Sequence, residues 1–246
     1  MKEPILILGA TSAIARHVAA AFARQGHSLF LAGRDAAEIE RLVQDLHLRF
    51  GVEIAGGQFD AEDYQGHAGF LRQVLERMGT LHGVVVAFGY LGEQERAARD
   101  FEECQRIIAR NYTGAVSIIN HCADYLEQRR AGFIIGISSV AGDLGRRSNY
   151  LYGSAKAAFS IYLQGLRNRL FFAGVRVLTI KPGFVDTPMT FGLPRLFLVA
   201  SPEAVAEGIV RALIRGSDVV YLPWFWGWVM LALRLLPEKI RKRLKL

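Results

Sequence analysis

The segment Tyr152-Gly153-Ser154-Ala155-Lys156 places a tyrosine and a lysine four residues apart. If this segment is helical, both side chains lie on the same face of the helix. A free tyrosine has a pKa of about 10, which is too high for ready proton exchange near neutral pH. A neighbouring ammonium group favours the phenolate and lowers that pKa. The pair therefore predicts general acid–base chemistry with Tyr152 as the group that exchanges the proton.

Two other polar positions precede this pair. Ser138 and Ser139 follow an apolar run, and Ser139 stands 13 residues before Tyr152. Asn111 lies 28 residues before Ser139, inside a long helical pattern. A tyrosine and lysine at this spacing are common by themselves, so these additional residues make the chemical interpretation more specific.

The elements that must position these residues alternate along the chain. Short apolar runs, typical of strands buried on both faces, alternate with helical patterns such as the stripe Ile39, Leu42, Leu46 and Phe50. This alternation predicts an α/β fold, a single doubly wound parallel (Rossmann-type) sheet of about seven strands with helices on both faces. The predicted strands are Ile5–Leu8, Ser28–Ala32, Val52–Phe59, Val84–Phe88, Phe133–Ile137, Val175–Ile180 and Val219–Leu222.

The first strand runs directly into a turn, Gly9-Ala10-Thr11-Ser12, and then into a helix. Gly9 permits a tight turn. Thr11 and Ser12 offer hydroxyl and N–H groups, and the helix N-terminus favours an anion. The turn predicts a pyrophosphate-binding site, although a lone turn of this kind is more often an ordinary connection between a strand and a helix.

The end of the second strand indicates which dinucleotide is bound. An acidic residue at this position would hold the ribose 2′-hydroxyl of NAD, whereas this chain has Gly33 followed by Arg34. A guanidinium binds a 2′-phosphate that a carboxylate would repel. We therefore expect NADP(H) rather than NAD; the alternative is a solvated arginine at a helix start.

Together these motifs resemble the short-chain dehydrogenases/reductases along nearly the whole chain. The resemblance implies that Ser139 orients the substrate carbonyl, Tyr152 is the acid/base and Lys156 binds the nicotinamide ribose. It also implies that Asn111 anchors a water molecule of the proton relay. The implied cofactor-binding residues are Gly9, Thr11, Ser12, Ile14, Arg34, Asp60, Ala87, Gly89, Tyr152, Lys156, Pro182, Gly183, Val185 and Thr187.

Two departures from the family pattern concern the cofactor side. Ala13 and Ala15 stand where the family's turn usually has glycines, and Val86-Ala87-Phe88-Gly89 replaces the usual Asn-Asn-Ala-Gly. The chain looks most similar to the branch of the decaprenylphosphoryl-2-keto-pentose reductases. Those proteins reduce a keto-sugar on a polyprenyl phosphate beside a partner FAD-dependent oxidase, so the resemblance implies a similar substrate and partner.

The formal charge of +7 is concentrated near the C-terminus, where residues 234–246 carry six Lys or Arg and one Glu. This distribution gives no reason to expect nucleic-acid binding. We therefore divide the chain into a reductase domain at 1–218 and a tail at 219–246. The tail is rich in tryptophan and leucine, yet it is too short in uninterrupted apolar residues to span a bilayer. It predicts contact with an anionic membrane surface; the alternative is packing over a substrate pocket or in an oligomer.

Other features give weaker expectations. Cys104 and Cys122 form no disulfide framework, which suggests a reducing compartment, and the histidines have no metal-ligand spacing. We expect a cytoplasmic homo-oligomer, peripheral on the membrane's cytoplasmic face. Arg146 and Arg147, between Ser139 and Tyr152, are either a solvated pair or a substrate-phosphate site. The competing functions are a soluble reductase of small ketones or 3-oxoacyl thioesters, and an NADP-binding sensor without turnover.

Overall fold

A computed structural model describes residues 2–190 and 198–243. Seven strands form one sheet in the order β3-β2-β1-β4-β5-β6-β7, and all neighbouring strands are parallel. The strands are β1 Lys2–Leu8, β2 His27–Gly33, β3 Ile54–Gln58, β4 Gly83–Val86, β5 Phe133–Ile137, β6 Arg176–Pro182 and β7 Val219–Leu222. The predicted fold class is confirmed. β1 begins earlier than predicted because Lys2 pairs with His27, and β4 ends earlier because its pairing stops at Val86.

Helices connect the strands. A π-helical turn spans Ala109–Thr113, and 3-10 turns span Val140–Gly142 and Phe171–Ala173. The α-helices of the described residues are α1 Ala13–Arg24, α2 Ala36–Phe50, α3 His67–Met78, α4 Gln94–Ala97, α5 Phe101–Ile108, α6 Gly114–Arg129, α7 Tyr150–Leu170, α8 Pro202–Ile214, α9 Trp226–Leu235 and α10 Glu238–Arg241.

The sheet separates two apolar cores. Successive side chains of a strand point to opposite faces, so Ile5 and Ile7 of β1 enter one core while Leu6 and Leu8 enter the other. The first core contains residues of α1, α2 and α8, and the second contains residues of α3, α6 and α7. Because helices cover both faces, β4 and β5 are buried throughout and β1 is buried from Pro4 to Leu8, which explains their continuous apolar sequences.

The strand order reverses between β1 and β4, the two strands at the centre of the sheet. In an open parallel sheet, ligands bind at the carboxyl ends of the strands on either side of such a reversal. The turn after β1 and the segment after β4 meet there, since Ala87 N donates to Leu8 O at 2.9 Å. The fold thus brings the predicted cofactor-binding segments to one edge.

The predicted tail begins inside the sheet, because Val219–Leu222 is β7. After Pro223 the chain forms α9, in which Trp226 and Met230 are buried against Val140 and other apolar residues. None of the helices in residues 2–190 and 198–243 combines the length and apolar character needed to cross a bilayer. Lys245, the last basic residue of the predicted cluster, lies outside the described residues.

Candidate active site

Tyr152 and Lys156 lie one turn apart near the start of α7, and both side chains are buried. Lys156 Nζ donates a hydrogen bond to Ile137 O at 3.1 Å, which anchors it at the carboxyl end of β5. The same ammonium nitrogen lies 5.7 Å from the centre of the Tyr152 ring. The predicted pair therefore lies on one helix face and at the edge of the sheet where the central strands end.

Burial dominates the protonation of this pair. It raises the pKa of Tyr152 to about 12, although a hydrogen bond with Ser139 opposes the rise. Burial also lowers the pKa of Lys156 to about 8. The sequence-based expectation that the lysine would lower the tyrosine pKa is therefore wrong for the protein alone, because desolvation disfavours both charged forms. Near neutral pH, Tyr152 is a protonated hydroxyl that can donate.

The two adjacent serines have different surroundings. Ser139 precedes a 3-10 turn, its Oγ accepts from Ala141 N at 3.1 Å, and its hydroxyl is near enough to Tyr152 to oppose the rise of the tyrosine pKa. Ser138 Oγ instead donates to Lys156 O at 3.0 Å and contacts Ser160 Oγ at 2.7 Å. Ser139 is therefore the serine that shares a site with Tyr152, while Ser138 braces β5 against α7.

Asn111 lies in the π-helical turn and is buried. Its Nδ2 donates to Tyr90 O at 2.6 Å and to Ile107 O at 2.8 Å, and its Oδ1 accepts from Tyr90 N at 3.1 Å. The side chain thus ties the segment after β4 to the helix. A methyl group at Gly89 would lie 2.8 Å from Asn111 Oδ1 and 3.4 Å from Lys156 Nζ, so Gly89 permits this close approach. The water-anchoring role of Asn111 stays a prediction.

The turn after β1 has the geometry that an anion-binding loop requires. Gly9 has a φ of +75°, and a Cβ there would lie 2.7 Å from Phe88 N. Ser12 caps α1 through a bond from Ala15 N and also donates to Ala87 O at 3.3 Å. Helix starts leave their first N–H groups without intrahelical acceptors, and Ile14 provides one of them. Ala15 is fully buried in the core, so the methyl group that replaces a family glycine packs there.

Arg34 is exposed immediately after β2. It forms no ion pair with any other residue that the structure describes. Neighbouring Arg16 and Arg41 are both engaged by Glu38. A Cβ at Gly33 would lie 3.7 Å from Thr11 Cγ2, so the Arg34 turn adjoins the Gly9 turn.

Asp60 lies beside the Arg34 turn. Phe59 N donates to Gly33 O at 2.9 Å, and the buried side chain of His67 hydrogen bonds to Asp60 O at 2.9 Å. The Asp60 side chain is exposed, and its Oδ1 accepts from Glu62 N. The backbone here is therefore fixed while the carboxylate faces solvent, as the predicted contact with an adenine requires.

The segment after β6 approaches the same edge. Gly183 N donates to Leu222 O at 3.0 Å, and a Cβ at Gly183 would lie only 1.9 Å from Trp226 Nε1. Val185 is buried and pairs with Ala200. Thr187 is bonded to Thr190, both through its backbone N–H and through its carbonyl oxygen. Pro182 ends β6, so the four predicted residues form one fixed segment, which α9 covers through Trp226.

A buried ion pair beside Ser139 was not predicted. Asp143 Oδ1 accepts from Lys181 Nζ at 2.5 Å, and Asp143 Oδ2 accepts from Tyr221 OH at 2.6 Å. Lys181 also lies over the Tyr221 ring, at 5.5 Å. These contacts tie the Ser139 turn to β6 and β7. Asp143 follows the Ser139 turn and Lys181 precedes Pro182, but no sequence pattern indicates a contact between residues 38 positions apart.

Comparison with known proteins gives consistent matches. The family model described as short chain dehydrogenase matches residues 3–194. The chain is 35% identical over 241 residues to "Uncharacterized oxidoreductase Rv2073c" of Mycobacterium tuberculosis (strain ATCC 25618 / H37Rv), covering 98% of this chain and 96% of that protein.

Solved structures share the fold at lower identity. A variant of actinorhodin polyketide ketoreductase with NADPH has a TM-score of 0.83 at 21% identity, covering 92% of this chain and 97% of the other. A short-chain dehydrogenase from Sphingobium yanoikuyae in complex with NADPH has a TM-score of 0.81 at 24% identity, covering 90% of this chain and 88% of the other.

Proposed function

Because the chain belongs to the short-chain dehydrogenase family, we propose that it is an NADPH-dependent reductase that converts a ketone to an alcohol. The observation that carries this proposal is the buried group formed by Ser139, Tyr152 and Lys156, with Asn111 and Gly89 beside it. A protein that only senses NADP has no need of a buried tyrosine with a lysine ammonium beside its ring. The arrangement therefore favours a reductase over the sensor.

The residues present fit a dinucleotide. At Gly9 and Gly89 a side chain would collide with the backbone of Phe88 or with Asn111, so these glycines let the turn after β1 and the segment after β4 pack closely at the edge where the cofactor would lie. The helix start at Ser12 and Ile14 would hold the pyrophosphate, Arg34 the 2′-phosphate, Lys156 the nicotinamide ribose and the Pro182–Thr187 segment the carboxamide. When bound, NADPH would supply the hydride.

The side chains of this chain would supply the proton and the orientation. Ser139 Oγ donates a hydrogen bond to the substrate carbonyl oxygen, which holds that oxygen beside Tyr152. The raised pKa of Tyr152 keeps its hydroxyl protonated, and the hydroxyl then donates its proton to the oxygen as the carbonyl is reduced. The charged Lys156 ammonium, close to the ring, stabilises the phenolate that remains.

The experiment that tests the proposal measures NADPH oxidation by the purified protein. The substrates are a carbonyl panel of small ketones, a 3-oxoacyl thioester and a polyprenyl-phosphoryl keto-pentose. We expect NADPH-dependent turnover of at least one ketone and a strong preference for NADPH over NADH. Tight NADPH binding with no turnover of any panel member would favour the sensor.

We predict that the rate of ketone reduction decreases above about pH 8, which is well below the pH at which Tyr152 would lose its own proton. Lys156 has a lowered pKa of about 8, so it is charged below pH 8 and loses its charge as the pH rises through that value. Tyr152 stays protonated up to about pH 12. The kcat/KM for NADPH, which reports groups of the free enzyme, should therefore decrease above about pH 8.

The matched variant for this profile is Lys156→Arg, whose guanidinium does not titrate in this range. Its activity should be lower overall, but the decrease near pH 8 should be absent. A wild-type profile that stays level to pH 10 would contradict the assignment of this pH dependence to Lys156.

For the substrate we propose a ketone on a lipid-linked carrier, in keeping with the resemblance to the decaprenylphosphoryl-2-keto-pentose reductases. The support comes from α9 and the residues around it. Trp226 and Met230 are buried, whereas Trp224 and Trp228 are 73% and 66% exposed and Leu235 is also exposed. Exposed tryptophans beside a basic segment suit the membrane interface. On this proposal the protein binds peripherally to the cytoplasmic face of a membrane; the partner oxidase and the homo-oligomer stay predictions.

We predict that the exposed face of α9, together with Trp224 just before this helix, mediates binding to anionic vesicles. Replacing Trp224, Trp228 and Leu235 by serine should abolish sedimentation with phosphatidylglycerol vesicles at low salt, because it removes the apolar side chains that enter the headgroup region. Each basic residue near such a surface contributes about 1 kcal/mol, so added salt should release the wild-type protein. The triple variant should keep its NADPH affinity, since the buried residues of α9 are untouched.

The control is the double variant Leu48→Ser and Phe172→Ser, in which both original side chains are 84% exposed elsewhere on the surface. It should sediment like the wild type. Equal sedimentation of all three proteins, or no sedimentation of the wild type, would contradict membrane contact through α9. The exposed face would then be a candidate for packing between subunits.

A further inference from the structure

The loop Asp143–Asn149 connects the Ser139 turn to α7, which carries Tyr152. Its first residue is held by Lys181 and Tyr221. At its other end, Asn149 N donates to Arg146 O at 3.2 Å and Asn149 O accepts from Gly153 N at 2.8 Å. Both ends of the loop are thus fixed beside residues of the acid–base group. The loop therefore joins the two elements that carry Ser139 and Tyr152, between which a ketone would lie.

Three buried polar atoms on or next to this loop have no hydrogen-bond partner among the described residues. They are Gln94 Nε2, Arg146 Nε and Asn149 Oδ1. Gln94 is brought to the start of α7 because its Oε1 accepts from Leu151 N at 3.0 Å. Buried polar groups without partners cost free energy, and native proteins rarely retain them without a reason. A polar ligand at this place would satisfy them.

Arg146 also lacks a counter-ion in the part of the chain that the structure describes. Its Nη2 donates to Met230 Sδ at 3.4 Å, and a thioether sulfur is a weak acceptor. Asp143 is the acidic residue whose charge acts on Arg146. Both of its carboxylate oxygens, however, already accept hydrogen bonds, one from Lys181 and the other from Tyr221. Burial lowers the pKa of Arg146, as expected for a cation whose charge is poorly compensated.

We propose that Arg146 binds an oxyanion, the phosphate or carboxylate of the carbonyl substrate, and that Gln94 and Asn149 bind polar groups next to it. A guanidinium can hold such an anion through two parallel hydrogen bonds. Met230, which Arg146 contacts, packs with Val140 and Trp226, and this apolar cluster strengthens the attraction by excluding water. The inference rests on the proposed reductase function, since it places the anion on the molecule whose carbonyl meets Ser139 and Tyr152.

The kinetic test compares two pairs of ketones, each with a neutral and an anionic member, namely dihydroxyacetone with its phosphate and methyl levulinate with levulinate. For Arg146→Gln, kcat/KM for the anionic members should fall by about tenfold or more because a charge-assisted contact is lost. For the neutral members it should change by less than about twofold. Arg146→Lys should retain part of the preference, since it keeps the charge. An equal loss on both members of a pair would indicate a structural role and overturn the proposal.

The control is Arg147→Gln, which makes the same change of charge at the adjacent, exposed position. It should leave the preference for anions unchanged. A short-chain polyprenyl-phosphoryl keto-pentose extends the comparison to a lipid phosphate. A larger Arg146→Gln loss on this substrate than on dihydroxyacetone phosphate identifies the lipid-linked phosphate as the ligand, and the reverse identifies a soluble one.

A binding measurement decides the proposal independently of turnover. Inorganic phosphate is titrated into protein saturated with NADP⁺, which occupies the cofactor's own phosphate sites, and binding is followed by calorimetry. The wild type and Arg147→Gln should bind phosphate, whereas Arg146→Gln should not. Identical titrations of the three proteins would overturn the proposal. If the wild type reduces no ketone, the reductase function fails, while this titration still decides the role of Arg146.

Discussion

Replacing Tyr152 by phenylalanine should lower kcat for ketone reduction by about two to four orders of magnitude. The substitution removes the hydroxyl of the ring that lies beside the Lys156 ammonium, yet it keeps the ring itself, which belongs to an apolar cluster with Ala141 and Ile107. The affinity for NADPH, measured by fluorescence titration, should stay close to the wild-type value. The variant should therefore bind cofactor and fail in the proton transfer.

Tyr162→Phe is the matched control on the same helix. Its hydroxyl donates to Asn120 Oδ1 at 2.7 Å, away from Ser139 and Lys156, so its removal should leave kcat near the wild-type value. Normal turnover by the Tyr152→Phe protein would mean that another group donates the proton. The assignment of the acid to Tyr152 would then be wrong.

Replacing Arg34 by aspartate should weaken NADPH binding by about 100-fold, because a guanidinium next to the 2′-phosphate becomes a repulsive carboxylate. Arg34 is suited to this role because it has no ion-pair partner among the residues described, whereas Arg16 and Arg41 share Glu38. The affinity for NADH, which lacks the 2′-phosphate, should change little or improve. The Kd for each nucleotide and the kcat/KM ratio of NADPH to NADH provide the measurement.

Arg49→Asp makes the same change of charge near the far end of α2, where Arg49 is paired with Asp45 on the surface. It should leave both nucleotide affinities nearly unchanged. If Arg34→Asp binds NADPH as tightly as the wild type does, Arg34 is a solvated residue at a helix start, and the choice between NADP and NAD must depend on other groups.

Local patterns were sufficient to predict the fold and the placement of Tyr152 and Lys156 on one helix face. The seven strands were predictable because strands buried on both faces need continuous apolar runs. Each such run consists of a few consecutive residues, so it is visible in the sequence alone. The Tyr152–Lys156 pair was predictable for the same reason, since the helical repeat itself brings positions four apart together. Gly9 was identified from its place between a strand and a helix, and its φ of +75° agrees with that inference.

Long-range packing decided what the sequence could not. The pKa of Tyr152 rises because residues from several elements bury it, and burial outweighs the opposing effect of Ser139. The Asp143–Lys181–Tyr221 contacts join three separate parts of the chain, so no local pattern predicts them.

The apolar segment after Pro223 also combines a property that the sequence indicates with one that only the tertiary structure decides. Its sequence indicated an interfacial or packing role without separating the two. The tertiary structure divides it by face, burying Trp226 and Met230 while leaving Trp224 and Trp228 exposed. A sequence thus determines which residues share a strand or a helix face, because those relations depend on neighbours in the chain. Which face becomes desolvated, and which charge is left without a partner, depends on elements that only folding brings into contact.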